Sequence, residues 1–536
     1  MSSTSSIQST SVQFNGVTFA WPDGTPVLRD VTATFGLGRT GIVGANGSGK
    51  TTLLRLVRSE IRPSSGSVTT TGEVAYLPQN VTLRAGSTVA DLLGIRVALD
   101  ALRAIESGDV AERHFDAVGD DWDIETRAAE VLGAAGVPEL GLDRRVDHMS
   151  GGETILVALA GLRLAGTPIV LLDEPTNNLD REARARLYSM VRSWNGALLV
   201  VSHDTTLLDL MDETAEVRAT SLTVFGGAFS DYQVYLAQEQ EAAQRALRDA
   251  ERVLKVEKRQ RIEAETKLAR RRRYAQTDYE NKRKPRAVMN QRKTEAQVSA
   301  GRLRVELGEK VDAASAAVDE RAARVRDDRR VRIDLPDPGV PASRRLAELG
   351  DGERTLVIQG PERVALTGPN GVGKTCLLES LVHGTPAGIA ALTARALTDR
   401  IGYLPQRLDV LDDAASILEN VRRAAPVATP GTVRAGLARF LFRGDEVDRS
   451  VVQLSGGERF RVSLARLLLA DPPPQLVILD EPTNNLDLES VDALVDALSS
   501  YRGGMIVVSH DDGFLRRLGI NRWLTLDRGG RLAESS

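Results

Sequence analysis

Five short blocks of this chain occur twice, in the same order. Gly44-Ala45-Asn46-Gly47-Ser48-Gly49-Lys50-Thr51 returns as Gly368-Pro369-Asn370-Gly371-Val372-Gly373-Lys374-Thr375. Tyr76-Leu77-Pro78-Gln79 returns as Tyr403-Leu404-Pro405-Gln406, and Ser150-Gly151-Gly152-Glu153 as Ser455-Gly456-Gly457-Glu458. Leu172-Asp173-Glu174-Pro175-Thr176-Asn177-Asn178-Leu179-Asp180 returns as Leu479-Asp480-Glu481-Pro482-Thr483-Asn484-Asn485-Leu486-Asp487. Val201-Ser202-His203-Asp204 returns as Val508-Ser509-His510-Asp511, with 29 residues from Glu to His in both copies. A duplicated architecture is therefore expected. Each Lys block follows a short apolar run and opens a helical stretch. Each Asp-Glu block and each His also follows such a run. Short apolar runs alternating with helices predict a mostly parallel sheet with covered faces.

The 536 residues exceed what one hydrophobic core usually holds. No apolar run approaches the roughly 18 residues that a membrane span needs. Residues 1–11 are Ser/Thr-rich, unlike a signal peptide, and are expected to form a disordered tail. One cysteine, Cys376, excludes an intramolecular disulfide and fits a reducing, cytoplasmic compartment.

The Gly-rich blocks read as phosphate loops, whose backbone N–H groups turn inward as an anion nest at a helix N-terminus. Gly44, Asn46, Gly47 and Gly49, and Gly368, Asn370, Gly371 and Gly373, would line the two nests. Lys50 and Lys374 would reach the β- and γ-phosphates of ATP. Thr51 and Thr375 would bind Mg²⁺, with Thr52 and Cys376 beside them in the nucleotide sites. Asp173 and Asp480, each ending a strand, would complete the metal sphere. Gln79 and Gln406 sit in loops suited to sensing Mg²⁺ and water. Glu174 and Glu481 can polarise the attacking water, and His203 and His510 can hydrogen-bond it or the γ-phosphate.

Residues 238–330 match neither repeat. Two stretches, Ala237 to Arg273 and Arg286 to Ala300 (continuing past Gly301), lack Gly and Pro. The second carries Leu303, Leu307, Val311, Ala314, Val318 and Val325 as a helical stripe. An antiparallel helical hairpin is expected, with its tip near Asn281 to Pro285. From Lys267 to Arg304 there are 13 Lys/Arg and 3 Asp/Glu, a net of +10, so the rest of the chain carries −14. Arg270, Arg271, Arg272 and Arg273 precede Tyr274. Lys282, Arg283, Lys284 and Arg286 follow Tyr279, with Arg292 and Lys293 beyond. Basic clusters with interleaved aromatics suit RNA backbone and unstacked bases. A solvated charged linker is the alternative.

The phosphate loops and strand-end Asp-Glu pairs, together with the Ser-Gly-Gly-Glu signatures, resemble the ATP-binding-cassette superfamily over nearly the whole chain outside residues 238–330. The resemblance implies an α/β fold class: two ATP-binding-cassette (P-loop NTPase) domains, 12–237 and 331–536, joined by a long helical-hairpin linker over 238–330. It implies that Ser150, Gly151 and Gly152 close over ATP held by Lys374, and that Ser455, Gly456 and Gly457 close over ATP held by Lys50. The loops ending at Asp180 and Asp487 then cross the same interface, and one chain, as a monomer, forms the sandwich. Two cassettes, a charged linker and no membrane segment look like the ABC-F family. That likeness implies ATP-dependent binding at the ribosomal exit site, with the linker reaching rRNA and peptidyl-site tRNA. Members protect ribosomes from antibiotics or serve as housekeeping translation factors. A transporter ATPase subunit or a DNA-repair ATPase are the rivals. Trp21 lies where an aromatic commonly stacks on adenine, whereas Ile333 to Pro338 offers none. The signature helices continue differently, Thr154-Ile155-Leu156 against Arg459-Phe460-Arg461, and Asn178 and Asn485 replace a histidine common in the family. Unequal ATP sites are expected. Gln79 to Ser150 spans 71 residues against 49 from Gln406 to Ser455, predicting a small arm within 94–127.

Overall fold

A computed structural model describes residues 11–79, 86–177, 179–280, 286–325, 335–386, 388, 392–406, 410–484 and 486–535. All but one residue of the expected N-terminal tail, both Asn178 and Asn485, and the expected hairpin tip lie outside the described residues. The chain divides into two compact units, Met1–Ser230 with Arg330–Ser536, and Asp231–Arg329.

The first unit contains both repeats. In the first repeat the elements run β1 (Val12–Ala20), β2 (Pro26–Phe35), β3 (Gly38–Val43), α1 (Lys50–Val57), β4 (Ser65–Thr70) and β5 (Val74–Leu77). A helical region follows: α2 (Val89–Leu92), α3 (Arg96–Glu106), α4 (Glu112–Val118), α5 (Ile124–Ala134) and α6 (Gly151–Ala165). The repeat closes with β6 (Ile169–Asp173), α7 (Arg181–Arg192), β7 (Ala197–Val201), α8 (Thr205–Leu208), β8 (Glu213–Arg218) and β9 (Ser221–Gly226). One six-stranded sheet has the order β5-β6-β7-β3-β8-β9, parallel except for β9. Every residue of β6 and β7 is buried, as an unbroken apolar run covered on both faces requires. The parallel expectation omits a second sheet. Strand β1 alternates buried and open positions and pairs antiparallel with β2 and β4.

In the second unit α9 (Phe229–Glu280) begins within the first unit and runs for 52 residues. It is about 78 Å long at 1.5 Å per residue, and it starts eight residues before the expected position. Ser230 N–H donates to Asp209 Oδ1 at 2.8 Å, satisfying a first-turn donor beside the Gly226-Gly227 break. Its partner is α10 (Arg286–Arg324). Arg321 Nη1 donates to the Ala246 carbonyl at 3.1 Å. Lys310, raised in pKa first by Glu306, also senses Glu257. Moving 11 residues forward from 246 to 257 thus moves 11 back from 321 to 310, so the helices are antiparallel. Ala250, Leu307, Val311 and Ala314 are buried on the seam.

The second repeat follows as β10 (Arg345–Gly350), β11 (Thr355–Gln359), β12 (Arg363–Thr367), α11 (Lys374–His383), β13 (Thr393–Ala396) and β14 (Ile401–Leu404). Then come α12 (Ile417–Ala424), α13 (Pro430–Arg439), α14 (Gly456–Leu468), β15 (Leu476–Asp480) and α15 (Leu488–Ser499). The last elements are β16 (Gly504–Val508), α16 (Asp512–Arg517), β17 (Arg522–Leu526) and β18 (Leu532–Ser535). Its sheets, β14-β15-β16-β12-β17-β18 and β11-β10-β13, reproduce the first repeat's orders. Helices α2 and α12 are both opened by a capping box, from Thr88 and Ser416. From there 35 residues lead to the start of α5, but only 13 to the start of α13. The α3–α4 pair accounts for that difference. Leu99, Leu102 and Val118 pack it into the first repeat's helical core. Among the described residues, no helix is long and apolar enough to cross a membrane.

Candidate functional site

Both phosphate loops leave a central strand and enter a helix through left-handed glycines, Gly49 (φ 106°) and Gly373 (φ 98°). At the loop entries, Gly44 and Gly368 run against the carbonyls of Val217 and Leu526, where any Cβ would collide. Lys50 Nζ donates to the Gly44 and Ala45 carbonyls at 2.8 and 3.1 Å, and Lys374 Nζ to those of Gly368 and Pro369 at 2.7 and 2.8 Å. Both ammonium groups are held inside the loop. Burial lowers both pKa values, against the pull of Glu174, Asp487 and Asp173 on Lys50, and of Glu481, Asp180 and Asp480 on Lys374.

Around the first loop, Trp21, Val27, Asn46, Gly47, Lys50, Thr51, Thr52, Gln79, Asp173, Glu174, Asn177 and His203 line one cavity of about 380 Å³. Trp21 meets Phe19 edge-on at 5.1 Å between ring centroids. Thr51 Oγ1 donates to Asp173 Oδ2 at 3.2 Å, and so does the Tyr76 hydroxyl at 3.2 Å. Sequence reasoning gives Tyr76 and Tyr403 no role, although both recur in the Gln blocks. Cys376 is exposed, so a buried thiol is excluded. Gln79 and Gln406 are exposed as well.

Glu174 and Glu481 leave strands β6 and β15 in the left-handed region, at φ 50° and 46°. Each N–H still completes the sheet, to Val201 O at 2.8 Å and Val508 O at 2.9 Å. A non-glycine residue in this conformation is costly and recurs where a site demands it. The turn keeps each carboxyl beside the following histidine. His203 Nε2 lies 3.2 Å from Glu174 Oε1, and His510 Nε2 lies 3.3 Å from Glu481 Oε1. Burial raises both Glu pKa values, that of Glu481 to about 7, with the facing Lys opposing. Burial, then the Lys charge, pushes both histidines down to about 3, so both imidazoles are neutral. The second histidine is tied more closely, 3.1 Å from Asn370 Oδ1 and 3.3 Å from Lys374 Nζ.

These residues suit Mg²⁺ and a polyphosphate. Ser48 Oγ, Glu174 Oε1 and Glu481 Oε1 are buried without an aligned hydrogen-bond partner, a capacity that a ligand or water would fill. Among the described residues, no cluster of three or more His, Cys, Asp and Glu forms a metal cage. Mg²⁺ typically takes one or two carboxylates and completes its sphere with water and phosphate.

The cassettes meet at these loops. Asp487 Oδ2 accepts from Asn46 N–H at 2.6 Å, and Asp180 Oδ2 from Asn370 N–H at 3.4 Å. Each aspartate also caps its own helix, from Ser490 N–H and Ala183 N–H. Ser150 and Ser455 are exposed N-caps, accepting from Glu153 and Glu458 N–H at 3.2 and 3.3 Å. Gly151–Gly152 and Gly456–Gly457 form the first turns of α6 and α14, with donors of the kind that bind anions. On α9, Arg270, Arg271, Arg272, Arg273 and Tyr274 are exposed. Lys282, Arg283 and Lys284 lie outside the described residues. Arg286, Arg292 and Lys293 fall on α10.

Comparison with known proteins agrees with this geometry. The ABC transporter family model matches residues 28–177 and 353–484. The chain is 31% identical over 522 residues to the "Probable ATP-binding protein YheS" of Escherichia coli K12, covering 94% of this chain and 77% of that one. It is 30% identical over 541 residues to the tylosin resistance ATP-binding protein TlrC of Streptomyces fradiae, covering 94% and 95%. Among solved structures, an archaeal ribosome recycling factor, aABCE1, crystallised with stalk protein aP1, superposes with TM-score 0.59 at 18% identity. That alignment covers 97% of this chain and 89% of the other, a likeness of fold. Two phosphate-loop cassettes on one polypeptide, with relatives of the same plan along almost its whole length, place the chain in the ATP-binding-cassette family, as an ATPase of the ABC-F type.

Proposed function

We propose that this protein binds the ribosome in its ATP-loaded, closed form, releases it on hydrolysis, and protects translation from antibiotics. The observation that carries the ribosomal part is the run Arg270–Arg273 with Tyr274, whose ring is 77% exposed far along a 52-residue helix. Adjacent guanidinium groups and an open aromatic ring match phosphate backbone and unstacked bases. In this reading Lys50 and Lys374 hold the β- and γ-phosphates, and Thr51, Asp173, Thr375 and Asp480 hold Mg²⁺, which would neutralise phosphate charge. Glu174 and Glu481 polarise the attacking water while the neutral imidazoles of His203 and His510 orient it. The reading places the protein in the cytoplasm, as a monomer, with rRNA and peptidyl-site tRNA as partners.

Protection is favoured over a housekeeping role in translation by the match to the tylosin resistance protein, which extends over 95% of that relative. The small α3–α4 pair, in place of a large arm, points the same way. The test is cell-free translation with inhibitors of the peptidyl-transferase region. Added protein should restore synthesis in the presence of drug and leave drug-free synthesis unchanged. Restoration with none of these inhibitors, together with altered drug-free synthesis, would favour the housekeeping role.

A further inference from the structure

Two hydroxyls converge on one carboxylate oxygen in the first cassette. Thr51, in the first turn of α1, and Tyr76, in β5, both donate to Asp173 Oδ2 at 3.2 Å. Asp173 ends β6 and is buried. Strand β5 is an edge of the six-stranded sheet and pairs parallel with β6. In that register Tyr76 stands beside Leu171, two residues before Asp173. Its ring and the carboxylate therefore lie on one face of the sheet. The ring is also held from a second side. The Arg58 guanidinium lies 4.1 Å from the Tyr76 ring centroid, where a cation is attracted to the aromatic face. Arg58 pairs with Glu60. Helix α1 thus grips this unit at both ends. Thr51 at its start holds the carboxylate, and Arg58 at its C-cap holds the tyrosine.

The second cassette keeps the tyrosine and the aspartate but not the clamp. Counted from the phosphate-loop lysines, Arg58 corresponds to Val382 and Glu60 to Gly384. Tyr403 stands beside Ile478, two residues before Asp480, in the same register as its counterpart. Among the described residues, the Tyr403 hydroxyl is buried without an aligned hydrogen-bond partner. Guanidinium groups lie over the rings of Tyr76 and Phe442, and among the described residues none lies over Tyr403. The difference matters because a partner that fixes a metal-binding side chain tunes the metal itself.

We infer that Tyr76 is a positioning residue for Mg²⁺ at the first ATP site: its hydroxyl, with the ring clamped by Arg58, fixes Oδ2 of Asp173 and leaves Oδ1 for the metal. Tyr403 gives Asp480 no such hold, so the two sites depend on their tyrosines unequally. The inference rests on the reading that Thr51 and Asp173 hold Mg²⁺ with ATP bound at Lys50.

The test is binding of fluorescent ATP to the full chain carrying Glu174→Gln/Glu481→Gln, so that nucleotide is not turned over. Adding Lys374→Ala leaves the first site to load, and adding Lys50→Ala leaves the second. Each protein is titrated in Mg²⁺ and again in EDTA, and the ratio of the two Kd values reports the contribution of the metal. At the first site Tyr76→Phe should raise the Kd in Mg²⁺ by about tenfold, the lower end of the loss expected when a metal ligand loses its outer partner. The Kd in EDTA should stay nearly unchanged. Arg58→Met, which frees the ring but keeps the hydroxyl, should act in the same direction by less, and it carries the test if Tyr76→Phe fails to fold. At the second site Tyr403→Phe should leave both Kd values nearly unchanged. A packing role for Tyr76 predicts equal losses in Mg²⁺ and in EDTA. That result would overturn the inference, as would an unchanged Kd in Mg²⁺, or equal effects of Tyr76→Phe and Tyr403→Phe at their own sites. If Asp173→Asn leaves the ratio at the first site intact, Asp173 does not hold the metal, and the underlying reading of the site fails instead.

Discussion

The carboxylate of Asp487, in the second cassette, accepts a 2.6 Å hydrogen bond from the backbone N–H of Asn46, in the phosphate loop of the first. Oδ1 of the same side chain caps α15 at Ser490 N–H, 2.9 Å away. One buried residue thus ties the start of its own helix to the nucleotide loop across the interface. The reciprocal contact, Asp180 to Asn370, is longer at 3.4 Å. Asp487→Ala should destabilise the closed cassette pair by about 1.5–3 kcal/mol, the worth of a hydrogen bond to a charged group, and Asp180→Ala by less. Thermal unfolding of both variants, with and without ATP, checks the order.

Glu174→Gln with Glu481→Gln should retain ATP affinity and lose turnover. The amide fits the left-handed turn as the acid does, and the phosphate loops are untouched. Steady-state hydrolysis should fall by about a hundredfold or more, as expected for loss of a general base. Nucleotide binding measured by equilibrium dialysis should change little.

Trp21→Ala should weaken nucleotide binding at the first site. Its ring lines that cavity, braced by Phe19. Aromatic stacking on a base contributes about 1–3 kcal/mol by alanine substitution, so affinity at that site should fall at least fivefold or so. Titration of the Glu174→Gln/Glu481→Gln protein with fluorescent ATP should then resolve one weakened and one unchanged site.

Acid sensitivity should trace to the two neutral histidines. Their folded pKa values lie near 3, against 6.5 for an ordinary histidine. Below about pH 6.5 the unfolded chain takes up protons that the fold refuses, so stability falls as pH drops from 6.5 toward 3. Each buried histidine should account for about 2 kcal/mol between pH 7 and pH 5. Glu481, raised to about 7, acts in the opposite sense: its contribution is present below pH 4.5 and lost as pH rises through 7. Urea unfolding of His203→Gln and His510→Gln at pH 5 and 7 should show a smaller acid loss than the parent.

Much of this architecture is legible in the sequence because phosphate chemistry imposes residue types at fixed spacings. Lys50, Asp173, Glu174 and His203, with their second copies, come together as those spacings imply. The apolar runs of β6 and β7 could only be covered strands. Other features depend on packing that no local pattern records. The left-handed turn at Glu174 is set by the exit from β6 beside Val201. Arg184 reads as one more charge on a polar helix face until Asp204 is seen 3.5 Å from it, itself buried. The three-stranded antiparallel sheet escapes the pattern because the alternation in β1 is interrupted by irregular pairing after Phe14. The early start of α9 escapes it because the first turn, Phe229-Ser230-Asp231-Tyr232, reads equally well as a loop.

If ATP-driven ribosome binding runs through the basic hairpin, it should show in co-sedimentation of the Glu174→Gln/Glu481→Gln protein with ribosomes over a range of salt, with and without ATP. A matched protein would carry Gln at positions 270–273. The first should pellet with ribosomes only when ATP is present. The second should bind more weakly, with a salt slope shallower by roughly 0.7–0.9 for each RNA phosphate that the missing guanidinium groups no longer neutralise. Tyr274→Ala should weaken binding without changing the slope, since a stacked ring releases no counterion. Equal pelleting with and without ATP, and equal slopes for the two proteins, would contradict the account.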